Sequence, residues 1–260
     1  NTTQLATTAF VTTAVASGAV DLTQDITVNS LTVGKGSGNV ATNTAFGNSA
    51  LSNNISGSEN VANGYYSLSS NTTGTRNVAN GYYSLSSNTT GSYNTANGYH
   101  SLKNNTTANS NTANGYGTLH SNTTGTQNLA NGANSLYYNT SGSYNAANGY
   151  ESLYSNTTGT RNVANGYQSL NNNTTGSYNA VNGYLALKLN TTGDFNVANG
   201  AYALYSNTTG YHNTANGTSA LYYNTTGWMN TSTGSNSLNT NTTGNYNVTN
   251  GVQSLHYNTT

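Results

Sequence analysis

The chain has no cysteine and no proline, only 4% of its residues are charged, and its longest apolar runs are short. Without cysteine there is neither a disulfide framework nor a thiolate metal site. Without proline every residue keeps the N–H that a β ladder needs, which suits continuous strand pairing. Five basic and five acidic residues give a formal net charge of +0, so no basic stripe awaits nucleic acid and no polybasic patch awaits a membrane surface. No stretch approaches the ~18 apolar residues of a spanning helix, and no charged-then-apolar leader is present. Neither nucleic acid nor membrane insertion is expected. Low hydrophobicity usually signals disorder, but disorder goes with high charge and few aromatics, whereas this chain carries 22 Tyr.

What the sequence does have is a period. Asn71-Thr72-Thr73-Gly74 opens a 17-residue unit that begins again at Asn88-Thr89-Thr90-Gly91, and the frame fits 13 units from Ser37 to Tyr257. With Ser37 and Asn71 at position 1, position 7 is always Asn (Asn77, Asn94), position 11 always Gly (Gly81, Gly98) and position 15 always Leu (Leu85, Leu102, Leu153, Leu170). Position 9 is Ala (Ala79, Ala96) except at Val181, Ser232 and Thr249, and position 14 is Ser, Thr or Ala. Positions 13 and 16 vary freely, which assigns them to solvent.

Seventeen residues are too few for a helix pair. Gly at one corner and Asn-Thr-Thr-Gly at the other divide each unit into two short extended pieces, the coil of a parallel β-solenoid. The fold expected is therefore all-β: a β-roll over residues 37–260, stacked to a rod of ~60 Å at the strand spacing of ~4.8 Å. Two segments precede it. Residues 1–18 space Ala6, Phe10 and Ala14 as a short helix that needs copies of itself to bury Phe10. Residues 19–36 alternate with a change of parity at Asn29-Ser30, giving two strands or one bulged strand as a connector. Gly34-Lys35-Gly36-Ser37-Gly38 lacks the spacing and ending of a phosphate loop, so it reads as a flexible link. The absent initial Met and the end inside a fourteenth unit suggest a segment of a longer protein.

Adjacent residues of a strand face opposite ways, yet positions 14 and 15 are both restricted. Leu and Ala can fill a thin interior, but on strand geometry the small residue at 14 must lie against something outside the coil. A thin core buries little apolar area against backbone entropy. Both points favour a homotrimer packed about an axis.

Asn94-Thr95-Ala96-Asn97-Gly98 through Leu102, followed by the Asn-Thr-Thr corner, resembles repeats in tail fibres of bacterial viruses and the β-roll head of trimeric autotransporter adhesins. Ala6-Thr7-Thr8-Ala9-Phe10-Val11 and Ile26-Thr27-Val28 through Gly34 look like segments of phage tail-fibre proteins. The resemblance implies a left-handed β-roll, three chains about one axis, and a structural and adhesive rod on a virion tail. Its partners would be itself, other tail proteins and a host cell-surface receptor. A bacterial trimeric surface adhesin at the cell surface is the alternative, and an ice-binding solenoid a third reading. In similar repeats the residue before Gly is often apolar; here it is Asn almost throughout, so Asn63, Asn80 and Asn97 must form a buried or interfacial amide ladder, with Phe46 the apolar exception.

No Ser/His/Asp arrangement recurs and no acid pair is placed for glycoside hydrolysis, so no enzyme and no cofactor are expected. Asp21 and Asp25 have no titratable partner. His100, His120, His212 and His256 occupy separate units, too far apart to share a metal. The same-position Arg76 and Arg161 stand five units apart. Tyrosine carries the best functional argument: Tyr82, Tyr83, Tyr137, Tyr138, Tyr154, Tyr205, Tyr222 and Tyr223 sit at variable positions, where aromatic rings among polar neighbours can contact receptor sugars. The alternative is that such tyrosines simply suit cross-strand ladders. Asn71, Asn88, Asn156 and Asn207 are N-glycosylation sequons by pattern and corner residues by position, Asn taking strained backbone and Thr capping it.

Overall fold

A computed structural model describes residues 25–259, which lie in one fifteen-stranded sheet whose order follows the chain. The expected helix within residues 1–18 and Asp21 fall outside the described residues. β1 (Ile26–Val28) and β2 (Leu31–Gly34) form an antiparallel hairpin, turned by Asn29 and Ser30 at φ 50 and 67. Positive φ at both central residues matches the twist of a two-residue hairpin. β2 pairs antiparallel with β3 (Thr44–Gly47), Val33 opposite Phe46. From β3 onward all pairs are parallel, one strand per coil, from β4 (Val61–Asn63) to β15 (Val248–Asn250). The chain is an all-β parallel solenoid with 17-residue coils.

The Gly34–Gly38 stretch is pinned rather than a free link. Asp25 accepts from the amides of Lys35 (2.6 Å) and Gly36 (2.8 Å), so the anion-cradling turn is filled by the chain's own carboxylate. A short 3-10 turn, Ser37–Asn39, follows. Residues 25–36 thus cap the first coil.

Each coil contains one short strand, of three residues in every coil after the first, not two extended pieces. In the coil of Asn71 the strand is Val78–Asn80, and the opposite wall is a run of turns. Position 11 sits at a backbone only glycine adopts easily, Gly81 at φ 136, and a Cβ there would strike the carbonyl of Gly98 one coil on. Three further residues are left-handed without being glycine: Arg76 at φ 58, Tyr83 at 53 and Leu85 at 50. This conformation costs on the order of 1 kcal/mol or more per residue. In return it points successive amides in opposite directions along the rod. Tyr83 N–H donates back to Tyr65 O (2.9 Å), Leu85 N–H forward to Ser101 O (3.0 Å) and Ser87 N–H forward to Lys103 O (3.0 Å). The turn wall is thereby hydrogen-bonded to both neighbouring coils, as a strand would be.

The left-handed leucine also overturns the facing inferred from alternation. Position 14 does not point outward: Ser84 is as buried as Leu85, both 0% exposed, and its Oγ donates to Gly81 O (3.1 Å). The strand rule fails because residues 13 and 15 flank it in left-handed backbone, turning both 14 and 15 inward. The need for an outside partner to cover position 14 falls with it. Positions 13 and 16 are not fully solvent-facing either; Tyr83, Tyr137 and Tyr154 are half-buried and Ser86 is buried.

Leu85, Leu102, Leu153, Leu170, Ala79 and Ala96 are all 0% exposed and line the interior as two apolar columns. Two columns of asparagine complete it. At position 7, Asn77 Oδ1 accepts from the backbone N–H of Asn94 (3.0 Å) and from its Nδ2 (3.2 Å), while Asn77 Nδ2 donates to Gly91 O (2.9 Å). At position 1, Asn88 Nδ2 donates to Asn71 Oδ1 (2.9 Å) and to Gly91 O (2.9 Å). A third amide ladder runs outside at position 10, Asn80 Nδ2 to Asn97 Oδ1 at 2.8 Å. The apolar columns break to polar only where hydroxyls can pair: Ser232 and Thr249 both bond Ser237.

An interior amide has two neighbours and a carbonyl to satisfy, and an exterior one can fall back on water. Asn145→Ala is therefore expected to lower stability by far more than Asn148→Ala, on the order of 2–3 kcal/mol against under about 1. Circular-dichroism melts of the two variants check this, and equal losses would contradict the assignment of the ladders.

Candidate functional site

A fixed register turns a residue type repeated at one position into a column, since equivalent residues stand one coil above another. The outward residues of the strands, positions 8 and 10, carry Val, Thr, Ala or Leu beside Asn, and no charged residue occurs in positions 8, 10 or 12 from β3 to β15. Charge is confined to the other walls, as in the exposed Arg76–Glu59 pair (2.9 Å), where the hydrogen bond and charge of Arg76 hold the Glu59 carboxyl below its usual range.

Aromatic rings form three groups. The first runs up position 12: Tyr65, Tyr82, Tyr99 and Tyr116 stack at centroid spacings of 5.1, 5.1 and 5.2 Å with interplanar angles of 10° or less. Tyr150, Tyr167 and Tyr184 continue the column after one interruption, at 5.3 and 5.4 Å. The second follows positions 13 and 16. Tyr83 meets His100 (5.8 Å), His100 meets His120 (5.8 Å), and His120 stacks on Tyr137 (4.7 Å), which contacts Tyr138 and Tyr154. Farther along, Tyr205, Tyr222 and Tyr223 form a similar group at 5.1 and 4.6 Å. The third lies at the Asn-Thr-Thr-Gly corner, with Tyr178, Phe195 and His212 stacked at 4.8 Å each and Tyr211 on Trp228 at 5.5 Å.

The eight tyrosines singled out in the sequence thus divide between two patches, with Tyr82, Tyr138 and Tyr223 exposed and the other five half-buried. Tyr99, Tyr116, Tyr150, Tyr167 and Tyr184 were missed. The period itself contained the signal, because all share position 12. Stacking also limits what an inner ring can do: its faces are taken by neighbours, leaving its edge and hydroxyl outward. Tyr154 is pushed up to about 12 by burial and by its hydrogen bond with Tyr138, and burial among other tyrosines raises Tyr83.

His100 and His120 correct the expectation that the histidines are far apart. The coils are staggered so that position 13 of one lies over position 16 of the next, as Asn171 Nδ2 to Glu151 O (2.9 Å) also shows. Among the described residues no group of three His, Cys, Asp or Glu side chains is placed to hold a metal. Arg76 and Arg161 do stand apart, each over tyrosines of its own neighbouring coils, Tyr93 for the first and Tyr144 and Tyr178 for the second.

The sequon asparagines are interior residues. Asn71, Asn88, Asn156 and Asn207 are 0% exposed with Nδ2 donating twice, so the folded coil offers no amide nitrogen to a glycosyl donor. Their backbone is not left-handed; that conformation falls at positions 6, 13 and 15. Thr72 Oγ1 donates to Thr89 O (2.9 Å) one coil on, so the threonine links coils instead of capping its own corner.

No protein-family model, curated protein or solved structure matches the chain. No helix among the described residues is long and apolar enough to cross a membrane.

Burial, and then the Lys103 charge, lowers both His100 and His120 from the ordinary 6.5; the neighbouring His100 adds to the effect at His120. Because the folded values are depressed, the unfolded chain takes up these protons first. Their contribution to stability is fully present above ~6.5 and is lost as pH falls from there through the lowered folded values. Lys103→Ala is expected to raise both, read by NMR titration of the imidazole resonances. Unchanged values would remove Lys103 as a cause.

Proposed function

We propose that this chain is the shaft of an extracellular fibre, a stiff rod that spaces and presents a glycan-contacting surface on a virion tail. The observation that carries the reading is the unbroken register of the parallel strands from β3 to β15, with aromatic columns on the outer wall. Such a solenoid has reach instead of core volume. The resemblance of its repeats to those of phage tail fibres supplies the biological setting.

The rod further packs with copies of itself through the strand wall, three chains about an axis. Position 8 leaves apolar side chains such as Val61 (37% exposed), Leu129 (38%) and Val163 (40%) half-covered beside the outer Asn ladder, with no charge to solvate or repel. An uncharged, flat, partly apolar wall of this length is the kind of surface that association covers. Ice binding has less support. The threonines of position 2 are committed to the next coil, and Thr-x-Thr occurs on a parallel strand only at Thr231–Thr233.

Native mass spectrometry is expected to give three chains per particle, and a stable monodisperse monomer would overturn the assembly. A glycan array probed with the labelled protein tests adhesion: retention on carbohydrate spots, reduced in the Tyr138→Ala and Tyr223→Ala variants, supports it. Failure to bind any glycan would leave only a spacer.

A further inference from the structure

The position-12 column has a missing rung. Tyr116 ends one stack and Tyr150 begins the next, and the coil between them carries Ala133 where a tyrosine would stand. The strand of that coil pairs in unbroken register on both sides, with only a local shift at Gly132, whose φ is 113 against 134 and 137 for Gly115 and Gly149. The rings of Tyr116 and Tyr150 therefore lie two coil rises apart, about 10 Å. Neighbouring rings of the column fill one rise each at 5.2 and 5.3 Å, so the gap is the space of one ring.

The side of the gap is bounded by Asn134 and the ring of Tyr137, which pack over Gly117. The adjoining residue at position 13 of the Tyr116 coil is Gly117, where the equivalent residues two and one coils earlier are Tyr83 and His100. Accordingly Tyr116 is 57% exposed, against 42% and 43% for Tyr99 and Tyr82. The column's other interruption, at Ala201, differs on both counts: Tyr202 packs edge-on to Tyr184 (5.4 Å, 75°), and the next rung is Thr218, so no second wall exists.

We propose that the vacant rung between Tyr116 and Tyr150 binds a single neutral hexopyranose, a proposal that rests on the glycan-contacting reading above. The two tyrosines offer apolar faces to the two faces of a sugar ring. A carboxylate lies at the edge: that of Glu151, bonded to the Tyr150 hydroxyl and accepting from Gln168 Nε2 (2.7 Å). A ring with apolar faces and a rim of hydroxyls matches walls and edge together. The Glu151 carboxylate beside the gap, with no cation opposing it, selects against acidic sugars.

The test is saturation-transfer NMR on the full chain with methyl glycosides of glucose, galactose, mannose and N-acetylglucosamine. The wild type is expected to transfer saturation to at least one. Ala133→Tyr completes the column without removing a wall and is expected to abolish that transfer, while its melting curve confirms that the rod is folded. Tyr116→Ala removes one wall and is expected to weaken binding about tenfold or more, and Tyr223→Ala to leave it unchanged. Transfer that survives Ala133→Tyr and Tyr116→Ala overturns the slot but leaves glycan contact elsewhere on the rod standing. Absence of transfer to every hexoside also overturns the slot, and the glycan array then decides the broader reading separately. Binding of phenol or indole where no hexoside binds overturns the choice of ligand.

Discussion

Everything in this fold depends on one constraint: each coil must present its hydrogen-bonding groups at the same heights as its neighbours. The interior asparagines enforce it. The Oδ1 of Asn77 takes two N–H groups from Asn94, and the carbonyl of Gly91 receives amide donors from both Asn77 and Asn88. A coil one residue longer or shorter would orphan several buried polar groups, each costing about 1–3 kcal/mol. The period of 17 is held by that penalty more than by the apolar columns, which are only Ala and Leu thick.

The same constraint explains why a costly backbone is tolerated in every coil. A left-handed leucine is unfavourable alone, but it aims an N–H at the coil ahead while a left-handed residue two places earlier aims one behind. Conformational energy is exchanged for complete pairing of the turn wall. Functional variety is then free to collect in side chains that neither fill the interior nor make the ladders, and the aromatic columns occupy those places.

The period, the solenoid and the Leu and Ala columns were legible in the sequence because they depend only on which residue recurs where. The pairing of Asn80 with Asn97 in an amide ladder was legible for the same reason, but the reading of that ladder as buried or interfacial was not met, since it runs on the outward face. The facing of Ser84 was not, since strand alternation was applied to a segment that is not a strand. The role of Asn71 and Asn88 was hidden behind their resemblance to a corner and a sequon; only the inward path of the chain reveals a second interior ladder. His100 and His120 looked remote at 20 residues' separation, and the stagger between coils, which no pattern of residue types encodes, brings them together. The gap at Ala133 stood in plain text at position 12, but it acquires meaning only once the tyrosines around it are known to stack.

The antiparallel hairpin at the start of the sheet has a kinetic consequence. It is the sole pairing among the described strands that closes over a two-residue turn, whereas every parallel pair must bring together residues 17 apart. With Asp25 fastening the amides of Lys35 and Gly36, this end can order before any coil has a partner. The first coil then has a template to wind against, and each finished coil presents the same kind of edge to its successor.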